Sequence, residues 1–213
     1  MPAKIFAISG KAASGKTTLA WMLKDYIEKN MGLRAMVFPF ASMIKQFASI
    51  VFGVSVDEFS REKGDVLFTV RDCDVTKRQT MQCIGDAIRK VLGVDTYYKC
   101  WLDKMHELCV TNRINILIID DMRFVDEFEF VKSLSHCSDL YFVGLENIHT
   151  DSGDCHVSES GVPGRDKFMQ LTEGFESTYS TRNFDPSDGK MDHRMYDDLI
   201  KHITSSFSRF YER

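Results

Sequence analysis

Residues 10–17 of this chain read Gly-Lys-Ala-Ala-Ser-Gly-Lys-Thr, between a short apolar run, Ile5-Phe6-Ala7-Ile8, and a segment whose apolar residues recur at helical spacing. A short apolar run that ends in a Gly-rich turn is the pattern of a parallel strand buried on both faces. Leu19, Met22, Leu23, Tyr26 and Ile27 follow at i, i+3, i+4, i+7 and i+8, so a helix with one face on a sheet is expected, with Gly32 as its stop. Strand, small-residue turn and helix together predict a loop whose backbone N–H groups point inward and whose helix adds its positive N-terminal end, a cradle for phosphate. In that arrangement Gly10, Lys11, Ala12, Ala13, Ser14, Gly15, Lys16, Thr17 and Thr18 hold the polyphosphate of a nucleoside triphosphate. Lys16 reaches the β- and γ-phosphates, and the Thr17 hydroxyl holds Mg2+.

The rest of the chain alternates strand and helix patterns. Residues 35–41 read as a second strand that ends near Pro39, and Ile44, Phe47, Ala48, Val51 and Phe52 as a helix that stops at Gly53. Residues 54–75 are polar and read as irregular. Met81, Ile84, Ile88, Val91 and Leu92 mark one further helix, and Tyr98, Trp101, Leu102, Met105, Leu108 and Cys109 another, with Trp101 on the apolar face. Residues 114–119 form a continuous apolar run that ends in Asp120-Asp121, the pattern of a central parallel strand with carboxylates at its carboxyl end. Residues 140–145 read as one more strand, and Tyr196, Leu199, Ile200, Ile203, Phe207 and Phe210 as a closing amphipathic helix. Residues 146–190 are rich in Gly, Ser, Thr and Asp and lack periodicity, which suits a lid.

These patterns predict an α/β fold of three layers, a parallel sheet covered by helices on both faces in the manner of phosphate-loop nucleotide-binding proteins, with ligands at the carboxyl ends of the strands. At 213 residues the expectation is one domain over 1–213, with a helical acceptor-binding region at about 42–110 and a lid at about 146–190. The formal charge of −4 gives no general basic field, so nucleic acid is not an expected partner. No apolar run approaches the length of a membrane span and no signal peptide is read, which leads to the expectation of a cytoplasmic protein. The six cysteines, Cys73, Cys83, Cys100, Cys109, Cys137 and Cys155, contain no Cys-x-x-Cys pair and read as reduced thiols. Cys155 and His156 with His149 lack a fourth zinc ligand.

A metal-bound triphosphate needs a carboxylate on a strand beside the loop. Asp120 and Asp121 are equally placed for it, and Asp121 is assigned to Mg2+ and to catalysis. Arg78, Gln82, Gly85 and Arg89 lie at i, i+4, i+7 and i+11, within an arc of about 60° on one helix face at roughly 100° per residue. Two guanidinium groups and a carboxamide suit a bidentate grip on a phosphate and a polar base edge, if this face lines a cleft rather than bulk water.

The string Arg78-Gln79-Thr80-Met81-Gln82-Cys83-Ile84-Gly85, followed by Arg89, resembles the R-x-x-x-Q-x-x-G…R segment of bacteriophage-type deoxynucleoside monophosphate kinases. Asp121-Met122-Arg123-Phe124 with Glu127 resembles that family's D-x-R-F-x-x-E segment, and His156-Val157-Ser158-Glu159 its H-x-S-E. With the phosphate loop, four ordered motifs span residues 10–159. The resemblance implies transfer of the γ-phosphoryl of ATP to a deoxynucleoside monophosphate, an acceptor held by Arg78, Gln82, Gly85, Asp86 and Arg89, and a viral source acting in the host cytoplasm. Asp86 stands where the family commonly has Thr, and Asp95-Thr96-Tyr97-Tyr98 where it often has a Trp. Arg123 would neutralise charge near the transferred group; Lys45, Arg165 and Arg182 are candidate phosphate contacts by position alone, and the favoured reading of each is a solvated side chain. A kinase for another small acceptor and a nucleotide-dependent regulatory ATPase are the rival readings, and a homodimer is left open.

Overall fold

In the computed structural model of the protein, residues 1–60, 64–147, 161–182 and 194–205 are described. They form two compact units, one from Met1–Pro39 with Leu108–Arg213, the other from Phe40–Glu107.

The first unit is built on five strands: β1 (Lys4–Gly10), β2 (Ala35–Val37), β5 (Ile116–Met122), β6 (Asp139–Asn147) and β7 (Glu176–Arg182). Their spatial order is β2-β5-β1-β6-β7, with every adjacent pair parallel. Every residue of β1 is buried because β1 is central in the sheet, flanked by β5 and β6. Parallel neighbours need crossovers, and helices provide them on both faces. Helix α1 (Lys16–Met31) packs Leu19, Ala20, Leu23 and Ile27 onto Phe6, Ile8, Ile116, Ile118, Val143 and Leu145, and the C-terminal helix Arg194–Ser205 adds Tyr196, Ile200 and Ile203 to this layer. On the other face Phe128 of α6 (Val125–Ser133) stacks on Phe142 of β6, with ring centroids 6.0 Å apart, and Phe168 of α7 (Arg165–Leu171) meets Phe128 edge-on. We number the C-terminal helix α8. The expected three-layer α/β fold with a parallel sheet is therefore present.

The second unit holds α2 (Ser42–Phe52), α3 (Val56–Ser60), the antiparallel pair β3 (Val66–Val70) and β4 (Cys73–Thr76), and α4 (Lys77–Leu92). Helix α5 (Val94–Asn112) starts in it and runs on into the first. Trp101 is fully buried, as its position on the apolar face implied, and packs against Phe40 at 4.8 Å between ring centroids.

Several local expectations need correction. Residues 54–75 are not irregular: they contain α3 and the β3–β4 hairpin, whose two-residue turn places Arg71 and Asp72 at φ 48° and 63°. Such left-handed turns favour Asn-Gly or Asp-Gly, so Arg-Asp carried no turn signal. Residues 146–190 contain α7 and β7. The strand is polar, Glu-Ser-Thr-Tyr-Ser-Thr-Arg, and lies at the sheet edge, where apolar alternation is not required. Helix α7 buries only Phe168 and Leu171, too few for a period to show. Val91 and Leu92 of α4, and Phe47 and Val51 of α2, are exposed rather than core. β2 stops at Val37 in place of running to residue 41, although Phe38 N–H still reaches Ile118 O at 2.9 Å; Pro39, with no N–H to give, ends the ladder.

Candidate functional site

The phosphate loop leaves β1 at Gly10 and enters α1 at Lys16, at the centre of the sheet. Two contacts explain Gly10: a Cβ there would lie 2.3 Å from Leu145 O on β6 and 2.6 Å from Ser14 Oγ. Ala13 and Gly15 both take positive φ, 58° and 88°, and this alternation turns backbone N–H groups of the loop to one side. Ser14 is 3% exposed, and its Oγ has no hydrogen-bond partner among the described residues.

Lys16 is itself buried, and its ammonium donates to Gly10 O at 2.5 Å and Lys11 O at 2.6 Å. Three donors on a flexible stem can be exchanged from carbonyls to phosphate oxygens without moving the backbone. No side chain caps the start of α1 and its first turn holds no acidic residue, so the positive end of the helix is not neutralised locally. Thr17 is exposed, Thr18, Gly15 and Ala12 are half-buried, and Lys11 and Ala13 are exposed.

β5 lies beside β1 and carries both aspartates. Two-residue alternation puts Asp120 on the α1 face with Ile116 and Ile118, and an irregularity in the pairing falls between Ile119 and Met122. Asp120 is 5% exposed and its Oδ1 has no hydrogen-bond partner among the described residues. Asp121 is half-buried and engaged with neighbours. An orphaned carboxylate oxygen in a buried place is costly unless something cationic or a donor meets it. The sequence expectation places Mg2+ on Asp121, while the orphaned oxygen belongs to Asp120. The exposed Thr17 hydroxyl and this carboxylate are oxygen donors of the kind Mg2+ takes.

Just beyond β5, Arg123 is half-buried, and the turn that carries it is set by Glu127. Glu127 is 3% exposed, and its Oε2 accepts the backbone N–H groups of Arg123 at 2.5 Å and Phe124 at 3.0 Å. Sequence reasoning names Glu127 within a motif without a task, and Tyr196 only within an apolar stripe. Its hydroxyl donates to Gly15 O at 3.4 Å.

The residues expected to hold an acceptor belong to the second unit. Arg78, Gln82 and Arg89 are half-buried on α4, Gly85 is buried, and Asp86 is exposed. A Cβ on Gly85 would meet Ile44 Cδ1 of α2 at 3.2 Å, so the glycine of this face permits two helices to approach. Thr76 caps α4, accepting Gln79 N–H at 3.2 Å while Gln79 Oε1 accepts the Thr76 N–H at 2.9 Å. Lys77, 5% exposed, lies 3.9 Å from Glu58 and 3.6 Å from Asp65, tying the start of α4 to the elements before it. Lys45 is half-buried on α2, and Arg165 is exposed at the start of α7. Arg182 ends β7, its side chain lying outside the described residues, as do His149, Cys155 and the His156-Val157-Ser158-Glu159 segment. Among the described residues no cluster of His, Cys, Asp and Glu could hold a metal by itself, and no helix is long and apolar enough to cross a membrane.

No protein-family model and no curated protein sequence matches the chain. A solved structure described as a "putative kinase" from Chloroflexus aurantiacus J-10-fl is similar over 98% of this chain and 97% of that one, at 13% identity and a TM-score of 0.48. That degree of likeness assigns no chemistry. What stands on geometry is a five-stranded parallel α/β unit with a phosphate-loop motif at the carboxyl end of its central strand.

Proposed function

We propose that the protein is a phosphate-loop kinase that transfers the γ-phosphoryl of ATP to a small acceptor, a deoxynucleoside monophosphate. The observation that carries the transfer reading is the set of buried polar groups about the loop: Lys16 held on the carbonyls of Gly10 and Lys11, Ser14 Oγ without a partner among the described residues, and Asp120 Oδ1 likewise on the adjacent strand. Buried polar atoms in a folded protein are nearly always paired, and of the four such atoms without a hydrogen bond among the described residues, Ser14 Oγ belongs to the loop and Ser9 Oγ and Asp120 Oδ1 to the strands at its base, where a ligand would supply partners. The acceptor rests on the ordered motifs, above all Arg78, Gln82, Gly85 and Arg89 on one face of α4.

Phosphoryl transfer asks the protein chiefly to position the reactants and to neutralise charge. The loop N–H groups and Lys16 bind and orient the β- and γ-phosphates. Thr17 and Asp120 would hold Mg2+, which neutralises charge between the phosphates when bound. Arg123, its turn fixed by Glu127, offers a guanidinium to the equatorial oxygens of the transferred group. Arg78, Gln82 and Arg89 hold the acceptor's phosphate and base edge.

Steady-state release of ADP from ATP, with and without each deoxynucleoside monophosphate, tests this reading. Release that depends on a deoxynucleoside monophosphate, with the diphosphate formed in equal amount, is the expected result. Release dependent only on an uncharged nucleoside or another metabolite would replace the acceptor, and acceptor-independent release would make the protein a regulatory ATPase.

A further inference from the structure

We propose that Tyr196, on the C-terminal helix α8, is a positioning residue for the phosphate loop; this rests on the reading of that loop as a triphosphate site. The tyrosine is 4% exposed, and its ring is part of the core seam of α1, α8 and the sheet. Its hydroxyl reaches out of that seam to Gly15 O, 3.4 Å away. Gly15 O also accepts the first hydrogen bond of α1, from Leu19 N–H at 2.9 Å.

In a trans peptide the C=O and the following N–H point in opposite directions. A donor on Gly15 O therefore fixes and polarises the same peptide plane whose other end is the Lys16 N–H, one of the helix-start groups turned to phosphate. The contact also fills the space over Gly15. A Cβ added there would lie 2.0 Å from the Tyr196 hydroxyl oxygen and 3.3 Å from Cζ. Gly15 thus meets two demands, a φ of 88° and room for the hydroxyl. Through this one oxygen, α8 adds a second, longer contact to a peptide at the start of α1 that Leu19 N–H already holds at 2.9 Å.

Tyr196→Phe removes the hydroxyl and keeps the ring in the seam. The binding constant for ATP, measured calorimetrically on the full chain, is expected to weaken by about two- to tenfold, the range of one net hydrogen bond. The melting temperature of the variant without nucleotide should stay within about 3 °C of the wild type. A cycle with Gly15→Ala gives a readout apart from activity: the alanine should lower the melting temperature less in the Tyr196→Phe background, where the atom 2.0 Å away is gone, than in the wild type. Unchanged ATP affinity in Tyr196→Phe, or additive losses in the cycle, would overturn the proposal. So would weaker binding accompanied by a fall in melting temperature beyond about 5 °C, which would make the hydroxyl a general support of the fold. If the wild type binds no ATP, the phosphate-loop reading itself fails, and that result is distinct from a variant that binds as the wild type does.

Discussion

Replacing Asp120 with Asn should make the protein more stable and less active at once. The carboxylate is 5% exposed on β5, and its Oδ1 meets no hydrogen-bond donor among the described residues. Leaving one buried polar group unsatisfied costs about 1–3 kcal/mol, more when the group is charged. Asparagine keeps the shape and removes the charge, although its own amide inherits part of the same problem. A relief on the order of 1 kcal/mol follows, or a rise in melting temperature of about 2–4 °C for a chain of this size. Calorimetry without nucleotide or metal reads that gain directly. Turnover should move the other way, because a preorganised charge lost from the transition state typically lowers kcat by about 100-fold or more. Asp121→Asn is the comparator: half-buried and engaged with neighbours, that residue has no orphaned oxygen to relieve, so its replacement should leave stability level or lower it. A variant of Asp120 that melts lower and turns over normally would refute the reasoning and return the metal to Asp121.

Lys4 lies 5% exposed at the amino end of β1, 3.7 Å from a half-exposed Glu176, and burial lowers its pKa below the ordinary lysine value. A base whose folded pKa is lowered is penalised while charged, so this cost is present at neutral pH and fades as pH rises toward 10.5; Lys4→Met should stabilise by about 1 kcal/mol in urea titrations at pH 7 and by less at pH 10. Gly85→Ala sets a helix-propensity gain of about 1 kcal/mol against a contact of 3.2 Å with the movable tip of Ile44, so stability should hold or rise slightly; a rise in acceptor KM would place a ligand on this face as well. Glu127→Ala strands two part-buried amides and should cost about 1 kcal/mol in a denaturant melt while lowering kcat through Arg123, and Glu127→Gln should restore much of both. Arg78→Ala should reduce kcat/KM for the deoxynucleoside monophosphate by roughly 10- to 100-fold with little change in KM for ATP.

What could be read from the sequence was what local contrast encodes. β1 and β5 are legible because a central parallel strand must be apolar on both faces, and α1 because its stripe returns every three or four residues. The β3–β4 hairpin and β7 escaped the same reading. β7 is polar, and what makes it a strand is pairing with β6, which composition does not record; β3, Val-Leu-Phe-Thr-Val, does carry a β-branched and aromatic strand signal, but it sits in a segment read as irregular and its two outer valines are exposed. The candidate site divides along the same line. The phosphate loop is contiguous, so its residue types and its place between strand and helix were enough to find it. The difference between Asp120 and Asp121 is absent from the residue names, since adjacent carboxylates at a strand end are equivalent until the fold buries one of them. Glu127 could have been found, for a carboxylate three residues after the start of a turn is a known helix-start signal. Tyr196 could not, because the contact that gives its hydroxyl a task is 181 positions away in the chain. A motif names the side of a site that faces the ligand. The groups that hold it in place come from whatever the fold packs behind it, and here that is α8, the last element of the chain that the structure describes.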